Sequence, residues 1–205
     1  MIEENAWRLG GAEGLCDMGM GMQTGLDEAF RVTRSEIDSE NIPAKLVRKL
    51  VRNGDIRRYA LYDRDEYWIY TEDIDADKLP DDHPVKKHLL KYYDRLIQRY
   101  PCRVSPEQPV PKRKWYQYTV PNIKELFALE EKIVVPYKAP SNRFAMDNER
   151  RISSMDVYVL TVKNQYRFTV SGWYVLAVLN SSLMDYAYIT FYGRRKKSEF
   201  DYYTG

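Results

Sequence analysis

The sequence has few cysteines and few histidines. Its 205 residues include two of each, and Cys16, Cys102, His83 and His88 share no metal-binding or catalytic spacing. A disulfide framework, a zinc site and nucleophilic catalysis assisted by histidine are therefore disfavoured. The chain also lacks internal repeats, low-complexity tracts and a signal peptide, so we expect a cytoplasmic globular protein.

A membrane-spanning segment is lacking too. The one long apolar stretch, residues 173–192, is interrupted by Asn180, Ser181, Ser182 and Asp185. A span of that length should carry almost no polar side chains, so this segment predicts a buried helix and no contact with a membrane.

Charge of one sign is not in excess overall, but it is unevenly distributed. The net charge is only +2, yet residues 45–58 carry six basic side chains against Asp55 alone, and residues 72–82 carry six acids against Lys78. Aromatic residues make up 14% of the chain. Local basic blocks and amphipathic rings in a protein of modest net charge suit binding of a polyanion through one face.

Hydrophobic periodicity predicts an α+β fold with mixed, mostly antiparallel short strands and flanking helices. The predicted helices cover residues 42–54, 83–100, a short stretch near 123–131, and a long segment from Trp173 to Gly193. The predicted strands cover residues 29–33, two stretches within 57–71, residues 132–136, and two or three stretches within 143–162. Residues 101–122 are rich in proline and predict an ordered crossing loop. A link between two subdomains stays open as an alternative for this segment.

Three glycines, Gly19, Gly21 and Gly25, raise the question of a cofactor-binding loop. Such a loop follows a buried strand and opens a helix, whereas here the loop precedes the predicted strand. We therefore expect no cofactor site. Close approach of the backbone to phosphate and a purely structural turn both stay open as roles for these glycines.

Six segments in order resemble the C-terminal specificity, or target recognition, domain of TaqI-like adenine-N6 DNA methyltransferases and of type IIG restriction-modification enzymes. They span roughly residues 19–203 and are "GMQTGLDEAF", "LVRNGDIRRY", "KIVVP", "FAMDN", "VLAVLNSSLMDYAY" and "GRRKKSEFDYY". No single segment is specific; their order carries the resemblance.

The resemblance implies a DNA target recognition domain over residues 19–205, preceded by a lead-in segment over residues 1–18. It implies sequence-specific binding of double-stranded DNA without catalysis in this chain, which contains no Asn-Pro-Pro-Tyr motif. The parent enzyme would be an adenine-N6 DNA methyltransferase, either without a nuclease or fused to an endonuclease. It would use S-adenosylmethionine in a catalytic domain of the same polypeptide.

Arginine, lysine, asparagine and aromatic side chains are the residue types that contact phosphates and bases. The candidates lie after the last helix, in the segment "KRKWYQY", at a predicted hairpin tip, and on the basic face of the predicted helix 42–54. They are Arg194, Arg195, Lys196, Lys197, Lys112, Arg113, Lys114, Trp115, Arg143, Asn148, Arg150, Arg48 and Arg52.

Two other functions stay open. "PDD" at 80–82 and "EEK" at 130–132 imitate a magnesium-dependent nuclease pattern, although a helix and a proline-rich loop separate them. A protein-interaction or RNA-binding module would also carry an aromatic, locally basic surface. Preference for single strands would indicate RNA binding, whereas preference for duplex would indicate the recognition domain.

Overall fold

Runs of β-branched residues form the most deeply buried strands. A computed structural model describes residues 8–122, 124–192, 194–196 and 199–201, with the backbone alone for Tyr192 and from residue 194 onward. The strands are β1 (Cys16–Met20), β2 (Arg31–Thr33), β3 (Val47–Val51), β4 (Ile56–Arg57), β5 (Ala60–Leu61), β6 (Glu66–Ile69), β7 (Lys132–Pro136), β8 (Lys138–Ala139), β9 (Ala145–Asp147), β10 (Ile152–Ser153), β11 (Val157–Val162), β12 (Arg194–Lys196) and β13 (Glu199–Asp201).

The helices are short. They are α1 (Asp27–Phe30), α2 (Arg34–Ser39), α3 (Pro84–Leu90), α4 (Tyr93–Leu96), α5 (Lys124–Ala128), α6 (Gly172–Leu179) and α7 (Ser182–Ala187), followed by a π-helical turn (Tyr188–Tyr192). Every strand pairing with a described register is antiparallel. The predicted α+β class with antiparallel strands is therefore confirmed. None of the described helices is long and apolar enough to cross a membrane.

The chain divides into two units, each assembled from separate stretches. The first comprises residues 1–21, 51–63 and 123–205, and the second comprises residues 22–50 and 64–122. The chain passes from one unit to the other after Gly21, Leu50, Asp63 and Asn122.

The first unit is built on a four-stranded sheet in the order β1-β11-β7-β9. Every residue of β7 and β11 is buried, as expected for Val- and Ile-rich strands covered on both faces. Val175 and Leu176 of α6 belong to the same hydrophobic core, which also includes Ile133, Leu160 and Phe144. β12, β13 and β8 form a second, three-stranded sheet in this unit.

The second unit is built around Tyr118. Its ring is fully buried and meets Phe30, Trp68 and Tyr70 edge-to-face, with centroids 5.1, 5.6 and 6.0 Å away. Its hydroxyl donates to the Ile69 carbonyl oxygen at 2.9 Å. β6 pairs with β2 on one side and with β3 on the other. The loop 101–122 contains no helix or strand of its own, as predicted, yet it supplies this central ring.

The helix predicted over residues 42–54 is wrong. Ala44–Leu46 form one 3-10 turn and Val47–Val51 form β3, in which Val47 pairs with Ile69. Apolar residues at 46, 47, 50 and 51 fit a helix stripe, but a segment this short also fits a strand buried on both sides. The β-branched valines settle the choice when a partner strand is available.

Two other predicted helices are each divided. The segment 83–100 breaks between Leu90 and Tyr93, where the sequence has neither glycine nor proline. The long C-terminal helix ends at Leu179, and the backbone becomes extended at Ser181. The side chain of Asn180, between them, donates to the Phe144 carbonyl oxygen at 2.9 Å. The next residue, Ser181, starts α7 by accepting a hydrogen bond from the Met184 amide at 3.2 Å.

Candidate nucleic-acid interface

The three basic residues of "KRKWYQY" have different surroundings. Arg113 donates to the Glu72 carboxylate and to the Tyr118 carbonyl oxygen, the latter at 2.9 Å. Lys114 Nζ lies 3.0 Å from Asp75 and 3.4 Å from Asp77. The acidic stretch 72–82 thus neutralises two of the three cations of this segment. Only Lys112 has no acidic partner within 4.0 Å among the described residues.

Asp75 is the centre of this acidic contact. Hydrogen bonds from the Tyr116 hydroxyl and from Lys114 lower the pKa of the Asp75 carboxyl well below its usual range. The same contacts, that with Asp75 foremost, raise the pKa of Lys114. Trp115 donates from Nε1 to Asp77 at 2.9 Å and packs its ring edge-on against Tyr93 and Tyr116. Trp115 is therefore fixed within its own unit.

Lys112 and Tyr100 form an exposed cationic site together with Arg103. Lys112 Nζ lies 5.5 Å from the centroid of the Tyr100 ring, and Arg103 Cζ lies 5.2 Å from the same centroid. All three residues are exposed, Tyr100 to 62%. The sequence interpretation missed Arg103 because no second basic residue adjoins it in the sequence.

The predicted hairpin tip separates into structural and exposed residues. Arg143 donates to the Ile56 carbonyl oxygen at 3.1 Å, so it braces the backbone of its own unit. Asn142 is buried and donates to the Leu179 carbonyl oxygen at 2.8 Å, which also makes it structural. Asn148 and Arg150 are exposed, and Arg150 pairs with the exposed Glu130. Asn148 therefore keeps an accessible amide of the type that reads adenine.

Arg48 and Arg52 do not share a helical face, because their segment is a strand and not a helix. Arg48 Nη1 donates to the Lys45 carbonyl oxygen at 2.8 Å, and its guanidinium lies over the Tyr70 ring at 5.2 Å. The Arg52 amide donates to the Asp55 carboxylate at 3.0 Å. Both side chains are half-buried.

The C-terminal basic run is described in part. Arg194, Arg195 and Lys196 form β12, which pairs with β13 through partners such as Arg195 and Phe200. These three residues, which follow the last helix, therefore form a strand; their side chains, and the whole of Lys197, lie outside the described residues.

The glycine segment has a structural explanation. Gly19 lies within β1, and a Cβ on Gly21 would stand 1.9 Å from the Ser154 carbonyl oxygen, so only glycine fits there. Gly25 has φ +77°, in the left-handed region, and the Thr119 hydroxyl occupies the place of its Cβ. The carbonyl of the preceding Thr24 accepts hydrogen bonds from the buried Arg99 and from Thr119. A close backbone contact thus accounts for Gly21, and a left-handed backbone conformation accounts for Gly25.

A turn between β11 and α6 presents an aromatic residue that the sequence interpretation did not select. Tyr166 and Val170 pack against the hydrophobic core, and Phe168 between them is fully exposed. The Val170 amide donates to the Tyr166 carbonyl oxygen at 2.8 Å, which holds the turn. Arg167 is exposed beside Phe168, with its Nε bonded to the Val162 carbonyl oxygen at 3.1 Å.

A cleft of about 630 Å³ lies in the first unit between the start of β7 and the start of α6. Arg150, Arg167 and Lys132 are among the residues that line it. Lys132 is buried and pairs with Asp147 at 2.6 Å, so this lysine is not placed to orient a metal-bound water as the nuclease pattern requires. Within the described part of the chain, no group of three or more His, Cys, Asp or Glu side chains is arranged to hold a metal ion.

Three comparisons place the chain among known proteins. Residues 49–203 match the family of TaqI-like C-terminal specificity domains. The type II methyltransferase M.MjaIV of Methanocaldococcus jannaschii is 27% identical over 190 residues, and the match covers 88% of this chain and 59% of that protein. The chain thus spans about three fifths of the length of this curated relative. The type IIL restriction-modification enzyme MmeI, whose structure was solved in complex with DNA, has a similar fold over 97% of this chain and 24% of its own, with a TM-score of 0.59 and 15% identity.

Proposed function

The chain belongs to the family of TaqI-like C-terminal specificity domains, and from this premise we propose that it recognises a specific sequence in double-stranded DNA. The family match over most of the chain carries the proposal. The parent enzyme is an adenine-N6 DNA methyltransferase, either alone or joined to an endonuclease as in type IIG enzymes. Its catalytic domain, in the same cytoplasmic polypeptide, supplies S-adenosylmethionine chemistry, and this chain supplies the choice of sequence.

The exposed residues support the proposal in two ways: some are suited to phosphate contact and others to base recognition. Phosphate contacts fix the position on the duplex and need accessible cations. Lys112 and Arg103 meet that requirement, whereas Arg113 and Lys114 are already paired with acids. Base reading needs exposed amides or guanidinium groups, and Asn148 and Arg167 offer them in the first unit.

The first experiment is a selection from a randomised duplex pool by the 205-residue protein, with single-stranded DNA and RNA as competitors. A variant with Arg194, Arg195, Lys196 and Lys197 changed to alanine is run in parallel. A control variant loses the same charge elsewhere, at Lys45, Lys78, Lys87 and Lys91. We expect one short duplex motif to be enriched by the parent and by the control, and to be lost in the first variant. Enrichment of RNA, or of no sequence at all, would contradict the proposal.

One observation favours the alternative of a protein-interaction module. From Phe168 to Tyr192 the sequence contains a single charged residue, Asp185. This stretch nevertheless exposes large apolar side chains, among them Trp173, Leu183 and Phe191. Surfaces depleted of charge and rich in aromatics are typical of the core of protein interfaces. A partner-dependent change in protection of this stretch from hydrogen exchange, without duplex selection, would favour that alternative.

A further inference from the structure

Tyr100, Arg103 and Lys112 form a cluster in which one ring holds two cations. The Arg103 guanidinium carbon and the Lys112 ammonium lie 5.2 and 5.5 Å from the ring centroid, within the range of a cation–π contact. Such contacts restrict two long side chains that would otherwise be mobile. Both charges therefore stay beside the same exposed ring.

The loop beneath this cluster is closed by its own hydrogen bonds. The Arg113 amide donates to the Pro101 carbonyl oxygen at 2.9 Å, and Ser105 and Gln108 exchange backbone hydrogen bonds of 3.0 Å. The Gln108 side-chain amide donates to the Tyr100 and Arg103 carbonyl oxygens, at 3.2 and 2.9 Å. Gln108 thus fixes the backbone of two members of the cluster.

The positive charge of the cluster is not neutralised locally. Neither Arg103 nor Lys112 has an acidic partner within 4.0 Å in the described ranges. Glu107, an acid that interacts electrostatically with Arg103, accepts a hydrogen bond from the Ser105 hydroxyl at 2.9 Å. The pKa of the Glu107 carboxyl is lowered by hydrogen bonds that it accepts from its own backbone amide and from the Ser105 hydroxyl. The positive charge of Arg103 makes a smaller contribution in the same direction. One carboxylate near two cations leaves the cluster positive.

We propose that Arg103 and Lys112, positioned by Tyr100 and Gln108, bind a backbone phosphate of the DNA duplex. This inference rests on the proposed function and adds to it a specific contact. A phosphodiester is a compact anion with two free oxygens, which suits a guanidinium fork and an ammonium held against the same ring. Because a backbone phosphate is the same at every sequence, this site contributes affinity and register but no base preference.

The test measures duplex affinity from 50 to 200 mM salt for the parent, for the Arg103→Ala/Lys112→Ala variant and for Gln108→Ala. The control variant, Lys45→Ala/Lys87→Ala, loses the same charge from exposed lysines of the same unit. Loss of one phosphate contact reduces the magnitude of the slope of log affinity against log salt concentration by roughly 0.9. The affinity of the double variant should therefore fall short of the parental affinity by a factor that shrinks about threefold from 50 to 200 mM salt. Gln108→Ala should also reduce the magnitude of this slope, although it changes no charge, whereas the control should keep the parental slope.

Base preference provides a second readout. The sequence motif selected from a random pool should be the same for the parent and the double variant, since only a phosphate contact is removed. A double variant with the parental salt slope overturns the phosphate site, and so does one with a changed motif. If the parent selects no motif, the proposed function fails, while the salt slopes on a fixed duplex still decide whether the cluster binds phosphate.

Discussion

Lys132 Nζ lies 2.6 Å from the Asp147 carboxylate, and both side chains are almost entirely removed from solvent. These residues are the lysine of "KIVVP" and the aspartate of "FAMDN", on the paired strands β7 and β9. Arg151 donates to the other Asp147 oxygen at 2.8 Å, so one carboxylate serves two cations. Two of the segments that carry the family resemblance therefore meet in a buried ion cluster.

Replacing Asp147 by asparagine should destabilise the protein more than replacing Lys132 by methionine. The first change leaves the buried Lys132 without its anion and leaves Arg151 with Glu149 as its remaining carboxylate partner among the described residues. Breaking a buried pair costs about 3–5 kcal/mol. The second leaves Asp147 with Arg151 and with the Arg151 and Glu149 amides. Urea unfolding of both variants measures the difference. Equal losses would show that Lys132 is the main counter-ion of Asp147.

Arg113→Ala should lower stability and Lys112→Ala should lower duplex affinity, although the residues are adjacent. Arg113 neutralises Glu72, whose side chain is only 3% exposed, so its loss should cost on the order of 2 kcal/mol of stability. Lys112 is exposed and should change stability by less than about 0.5 kcal/mol. Thermal unfolding measures the stability of both variants. Duplex affinity at two salt concentrations measures the salt dependence of binding, which should change in Lys112→Ala alone.

Gly21→Ala should destabilise the first unit. The added Cβ would stand 1.9 Å from the Ser154 carbonyl oxygen, so β1 or the segment at Ser154 must shift. Overpacking of this kind costs about 1–3 kcal/mol or more. Asp17→Ala is the matched control, because Asp17 is exposed in β1, the strand that directly precedes Gly21. A melting temperature for Gly21→Ala equal to that of the control would contradict the close approach.

The Cys16 thiol should be inert at neutral pH. Burial, together with the negative charge of Asp17, raises the pKa of Cys16 to about 11. Since the thiolate is the reactive form, alkylation should stay slow below that pH and accelerate as pH rises toward 11. Burial also raises the pKa of Cys102. Mass spectrometry after iodoacetamide treatment, with and without denaturant, tests this: rapid native labelling near pH 8 would show that Cys16 is accessible.

The sequence predicted the fold class and the strands built from consecutive β-branched residues, such as β7 and β11. It did not predict β3, because apolar residues at 47, 50 and 51 satisfy two periodicities and the pairing with Ile69 is a long-range contact. The break after Leu179 is accompanied by the Asn180–Phe144 hydrogen bonds, which no local pattern reveals.

The sequence shows which residue types could contact DNA, but it does not show which of these side chains are free of other partners. A basic residue counts toward DNA binding only if no neighbouring acid already holds it, and Arg113 and Glu72 lie 41 positions apart in the chain. Likewise, Arg103 became a candidate only when folding placed it beside Tyr100. Phe168 has an ordinary sequence context, and its full exposure follows from Tyr166 and Val170 packing inward on either side.

The interleaved chain path has a consequence for how such proteins change by recombination. Residues 51–63 belong with the first unit, although they lie between the two stretches that build the second. A single crossover within the chain would therefore join part of one parent's core to part of another's in at least one unit. Exchange of the second unit alone, with residues 51–63 kept from the parent that supplies the first unit, requires crossovers on both sides of 51–63 as well as at the outer ends of the second unit. Chimaeras between relatives should tolerate whole-chain replacement better than a cut near its middle.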